Sequence, residues 1–98
     1  MLKALAREQI TVSSTAKTLT ATYFASSSYI VHFARIQVLG YQVRATYEGT
    51  APVASTTGDL LNVGDVIEVW GTEDLKNFKA IRESSDATLV VTYFGVPK

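Results

Sequence analysis

The chain has 98 residues, of which 47% are hydrophobic and 18% charged, with six Gly and two Pro; this is one domain with material for its own core, and disorder or collagen-like repeats are excluded. Nine bases balance nine acids, which argues against a dedicated binder of nucleic acid or of an anionic membrane. Cysteine is absent, so disulfides, thiol nucleophiles and thiolate metal sites are excluded.

Residues 1–9 are rich in Leu, Ala and Arg and are expected to form an N-terminal arm, a single helical turn docked on something. In that turn Leu2 and Leu5 share one face, while Lys3 and Arg7 point elsewhere. The arm plugs one end of its own sandwich or lies on a neighbouring subunit. From Gln9 the period changes to two, and Ile10 and Val12 alternate with Thr11 and Ser13, so the domain proper is expected over residues 10–98. A second strand is expected over 17–24, and a loop over 25–28, where three serines offer little to bury.

The strongest hairpin signal lies between His32 and Glu48. Ala34, Ile36 and Val38 alternate with Arg35 and Gln37, Gly40 permits a turn, and Val43, Ala45 and Tyr47 alternate with Gln42, Arg44 and Thr46. Pro52 breaks the ladder, and residues 49–65 read as a long crossing segment. Residues 66–70 form a short apolar strand interrupted only by Glu68, expected to be central. Thr72 is expected to cap a helical turn that has Glu73 and Asp74 near its start and ends at Asn77. The last two strands are expected over 78–83 and 87–94. About seven short strands with almost no helix predict an all-β fold: a single antiparallel β-sandwich, Greek-key or jelly-roll-like, with one short helical turn. Its expected core contains Ile36, Val43, Val69, Trp70, Ile81, Leu89 and Val91.

Catalytic signatures are missing. His32 is the one histidine and its parity points it inward, a packed strand-end histidine with no nucleophile elbow to serve. The carboxylates of the second half lack the rhythm of a calcium loop and read as turn residues, so neither a metal nor another cofactor is expected; a calcium site, were there one, would fall at Asp59, Asp65 or Asp86. Arg35 and Arg44, with Tyr41 and Tyr47 near in sequence, are expected on the outward face of one hairpin. Two arginines are too few to dominate a phosphate backbone, so that face reads as solvated or interface-lining. Trp70 and Tyr41 are the residues that could stack on a sugar, which is the carbohydrate-binding alternative. Residues 1–47 hold five bases against one acid, and residues 48–98 hold four bases against eight. The two halves either neutralise each other inside one molecule or leave complementary patches suited to head-to-tail contacts.

Three stretches, FARIQVLGYQVRATYEGTAP, TTGDLLNVGDVIEVWG and FKAIRESSDATLVVTYF, carry a resemblance that runs from Phe33 to Phe94. This part of the chain resembles the small β-sandwich virion proteins of tailed bacteriophages, of the head decoration or cement kind. The resemblance implies a non-enzymatic structural protein of the virion, made in the host bacterial cytoplasm. It implies assembly with itself, as a trimer, and with a major capsid protein or another virion protein, without nucleic acid or membrane as partner. A tail, baseplate or head-tail connector component is the alternative within that class. The residues expected at the assembly interface are Leu2, Leu5, Arg7, Arg35, Arg44 and Pro52.

Overall fold

Alternating burial along the strands builds the molecule. In the computed structural model, which describes residues 2–25 and 29–97, the elements are β1 (Lys3–Val12), β2 (Lys17–Thr18), α1 (Ala21–Phe24), β3 (Tyr29–Leu39), β4 (Val43–Thr46), β5 (Asp59–Leu61), β6 (Val66–Trp70), α2 (Thr72–Asn77), β7 (Lys79–Arg82) and β8 (Ala87–Pro97). They form two four-stranded antiparallel sheets, a first in the order β1-β8-β3-β6 and a second in the order β2-β7-β4-β5. The strands therefore pair as β1 with β8, β2 with β7, β3 with β6 and β4 with β5. This is a long double-stranded hairpin, hinged between β4 and β5 and rolled over on itself: the jelly roll, an all-β sandwich.

That topology explains where the structure departs from the sequence reading. Residues 32–48 are not a hairpin: β3 lies in the first sheet and β4 in the second, because consecutive strands on one arm of a rolled hairpin alternate between layers. Gly40 makes the turn with φ 87°, yet the chain leaves it for the opposite sheet. The strand at 66–70 is an edge, not a centre, so only Ile67 and Val69 turn inward while Val66, Glu68 and Trp70 turn out. Trp70 accordingly leaves the expected core and is 50% exposed; Ile81 is only partly buried. The described part of the first nine residues is not a helical turn either. It begins β1, which pairs with β8 up to Val12, since a sheet edge offers every other backbone group a partner that a lone turn lacks.

The strand expected over 17–24 stops at Thr18. Tyr23 and Phe24 both reach the ring of Tyr93, and neighbouring residues of a strand would point to opposite faces; the helical turn α1 lets both pack. Of the loop expected over 25–28, residues 26–28 lie outside the described residues. Helix α2 is where the acidic turn was expected, but Gly71 precedes it in the cap position and Thr72 is already helical. Strand β8 runs three residues beyond its expected end, and among the described residues eight strands stand where about seven were expected. The core between the sheets is made by Val12, Ala34, Ile36, Val38, Val43, Ala45, Val69, Leu75, Phe78, Leu89, Val91 and Tyr93.

Candidate assembly surface

The outer face of the first sheet is laid out in rows by strand register. One row reads Trp70, Phe33, Phe94 and Ala4 across β6, β3, β8 and β1; the next reads Glu68, Arg35, Thr92 and Arg7. In the first row the three aromatic rings stack on one another, Trp70 on Phe33 at 4.2 Å and Phe33 on Phe94 at 4.8 Å between centroids, within 18° of parallel. These distances are close to the spacing of adjacent strands, so the rings stand side by side like pages. In the second row Arg35 and Glu68 are direct cross-strand neighbours but do not form a salt bridge. Glu68 instead accepts a hydrogen bond from the Trp70 indole Nε1 at 3.0 Å, and the Arg35 guanidinium lies over the Phe94 ring at 5.3 Å. A hollow of about 310 Å³ beside it is lined by Arg35, Gln37, Val66, Val90 and Thr92.

A bulge aims this face. The register of β3 against β8 shifts between Val31 and Phe33, so His32, expected inside, is exposed, while Val31 takes the inward place and Phe33 and Arg35 share the outer face. Gly95 lies opposite, and a Cβ there would meet the Ile30 carbonyl oxygen at 1.9 Å; only glycine admits the strand at this approach.

The six residues expected at an interface are not brought together. Arg7 and Arg35 share the row just described. Leu2 is exposed next to the start of β1, and Leu5 is half-buried where the β1 register shifts between Ala4 and Ala6. Arg44 lies on the other sheet and is committed there: its Nε and Nη2 donate to the Glu83 carboxylate at 3.2 and 3.1 Å, and its Nη1 donates to the Gly58 carbonyl. Pro52 is buried. The Ser55 backbone N–H also donates to Glu83 at 2.6 Å, at a residue held with φ 66°, so Glu83 fastens the hinge segment to β4. Hydrogen bonds from Arg44 and from Ser55, with the guanidinium charge, hold the Glu83 carboxyl below the usual carboxylate range.

Around the hinge, Tyr47, Glu48, Thr57 and Asp59 line an open cleft of about 410 Å³. Burial first, and then the charge of Asp59, raise the Tyr47 hydroxyl above its ordinary value. The three aspartates set aside for calcium lie apart in the fold: Asp59 lines this cleft, Asp65 accepts the Asn62 N–H in a turn, and Asp86 pairs with Arg82. Among the described residues no three His, Cys, Asp or Glu side chains gather as metal ligands, and no helix is long and apolar enough to cross a membrane. Tyr41 is exposed at the β3–β4 turn.

Sequence reading missed Phe33, Phe94 and Glu68 as members of one surface. Phe33 and Arg35 share parity on one strand, which was legible; that Trp70 and Phe94 come to flank Phe33 depends on β6 and β8 pairing with β3, long-range contacts that spacing does not encode. Fold and face together define an antiparallel all-β sandwich with one exposed aromatic and cationic sheet face. Compared with protein-family models, with curated proteins and with solved structures, the chain matches none.

Proposed function

We propose that this chain is a non-enzymatic structural component of a tailed-phage particle, a jelly-roll module that decorates or cements the capsid shell. One observation supports surface-to-surface contact as its work: the outward stack of an exposed Trp70 on the partly buried Phe33 and Phe94, beside the exposed Arg35 and Arg7. Aromatic residues and arginine are the types enriched where proteins meet. The stacked rings cover one another's faces, and what they offer outward is a ridge of edges suited to packing against another protein. The virion setting is supported by the resemblance of residues 33–94, and jelly rolls serve in viral capsids as they do in lectins; the fold alone assigns neither role. Counting copies in purified particles is the test. Hundreds per particle fit capsid decoration, a few to tens fit a tail, baseplate or connector part, and none removes the chain from the particle.

A second reading, a carbohydrate-binding module, is favoured by the exposure of Trp70, whose face away from Phe33 is not covered by another ring. Trp70 is the one tryptophan, so its fluorescence reports directly. A saturable change on titration with oligosaccharides, lost in Trp70→Ala, favours this reading over the first.

A further inference from the structure

The two lateral sides of the sandwich carry opposite charge. Strands β5 and β6, at one edge of each sheet, and the connection between them carry Asp59, Asp65 and Glu68 and no Lys, Arg or His. The other edges are β1 and β2, which bear Lys3, Arg7 and Lys17. Short connections, residues 13–16 and 62–65, keep β1 beside β2 and β5 beside β6. The one acid of β1, Glu8, is turned toward Tyr93 and Thr20, while Lys3 and Arg7 are exposed, so the edge keeps a net positive charge. Among the described residues, β1 and β6 make no backbone hydrogen bonds on their outer sides.

Strand polarity and register make these edges fit one another. All pairings are antiparallel and each sheet has four strands, so a copy displaced sideways by one sheet width sets its β1 antiparallel to β6, and its β2 antiparallel to β5. The row Glu68, Arg35, Thr92, Arg7 then continues with Arg7 of the second copy beside Glu68. In the second sheet, Asp59, Ala45, Ala80 and Lys17 also form one row, so the same displacement sets Lys17 of the second copy beside Asp59. Like edges offer no such pair: β1 against β1 sets no acid beside Arg7 or Lys3 on the outer face, and the one charge that β6 brings to β6 is Glu68.

We propose that copies of this chain join head to tail through their sheet edges, β6 and β5 of one against β1 and β2 of the next, locked by Glu68–Arg7 and Asp59–Lys17 pairs. Trp70 then lies beside Ala4 of the second copy, and the aromatic ridge runs on to the junction. Sheet twist turns the displacement into a rotation, so the product is a closed ring or an open filament. The proposal rests on the reading of the chain as an assembling structural part, and names the surface it assembles through.

The test uses the full chain and its charge-reversed variants in sedimentation velocity across a concentration and salt series. Wild type is expected to self-associate, more weakly at high salt. Arg7→Glu and Glu68→Arg are each expected to weaken association roughly tenfold, and an equimolar mixture of the two is expected to associate again, since each supplies the edge the other lacks. Lys17→Glu and Asp59→Lys are expected to behave likewise. Amide exchange in wild type is expected to slow along β1 and β6 as concentration rises, a readout that stands even where a variant folds poorly. Association untouched by all four reversals, or protection that never reaches β1 and β6, overturns the proposal. A wild type that stays monomeric at about millimolar concentration overturns it too; abundant copies in purified particles would then still uphold the structural reading.

Discussion

Glu8 is the single acid of the first 47 residues, and its carboxylate is used three times. It accepts hydrogen bonds from the Thr20 hydroxyl at 2.7 Å, from the Thr20 backbone N–H at 3.2 Å, and from the hydroxyl of Tyr93, a residue with no exposed surface. Burial first, then the hydrogen bond and charge of Glu8, push the Tyr93 hydroxyl well above its ordinary range. Glu8→Ala leaves that hydroxyl buried without its acceptor and is expected to cost about 1–3 kcal/mol, measured by denaturant unfolding. Trp70→Ala makes the contrast. A tryptophan in the core would cost roughly 3–5 kcal/mol on truncation, but one half-exposed, stacked on Phe33 and hydrogen-bonded only to the exposed Glu68, is expected to cost about 1 kcal/mol. A loss as large as that of a core truncation such as Phe78→Ala would place the Trp70 ring inside after all. Glu83 sets the behaviour in acid. Its native carboxyl titrates below its unfolded value, so its stabilisation is complete above the ordinary carboxylate value of about 4.3 and is lost as pH falls through the lower native value. Glu83→Gln is expected to lower the thermal midpoint at neutral pH and to flatten its decline below about pH 5; an acid limb of unchanged slope would assign that loss to other carboxylates.

At the scale of the element, β1 is the strand whose role the composition concealed. Its alternation starts at Ala6 and runs through Glu8 to Val12 on the inward side, but the glutamate interrupts the apolar pattern, and Leu5 sits where the register shifts. Helix propensity in Leu, Ala and Arg is a weak prior that a nine-residue segment cannot realise without support, and pairing with β8 overrides it. Deleting residues 1–8 therefore removes most of a paired strand and the acceptor of Tyr93, and the truncated chain is expected to unfold many degrees earlier as a monomer. An unchanged midpoint would restore the detached arm. Strand β3 was legible from its period, β6 from its apolar run, and α2 from its acidic start. The bulge at His32 was not, because nothing in alternating residues marks the one-residue slip that reverses their faces; the signal lay in Gly95 on the facing strand. Gly95→Ala forces a Cβ against the Ile30 carbonyl and is expected to destabilise by roughly 1–3 kcal/mol or more, with the largest loss of amide protection at the start of β3. A neutral Gly95→Ala would mean that β3 and β8 separate there at no cost.

The whole molecule is a hairpin rolled up at residues 47–58, and the charge asymmetry along the chain changes sign at that hinge. Every strand of the first half pairs with a strand of the second, so bases and acids meet across the fold, as Arg44 and Glu83 do. The asymmetry is thus partly spent inside one molecule, and part of the remainder stands at the lateral edges, with Lys3, Arg7 and Lys17 on one and Asp59 and Glu68 on the other. This arrangement makes a specific demand on folding. The central strand β3 has only second-half neighbours in its sheet, β6 and β8, and neither half can close a sheet alone. Cut between Pro52 and Val53, the chain gives a fragment with five bases and two acids and another with four bases and seven acids. Each fragment is expected to be unfolded by itself and to regain the β signal in circular dichroism when mixed with the other. Opposite net charge steers the encounter, so the rate of reconstitution is expected to fall as salt rises through the range where the screening length drops to about 8–10 Å. A fragment that folds alone would contradict the interleaved topology, because its inward faces would have found cover without their partners. Reconstitution at a rate indifferent to salt would mean that apolar contact between β3 and β8 brings the halves together unaided, and that the reversal of charge at the hinge serves only the edges of the finished roll.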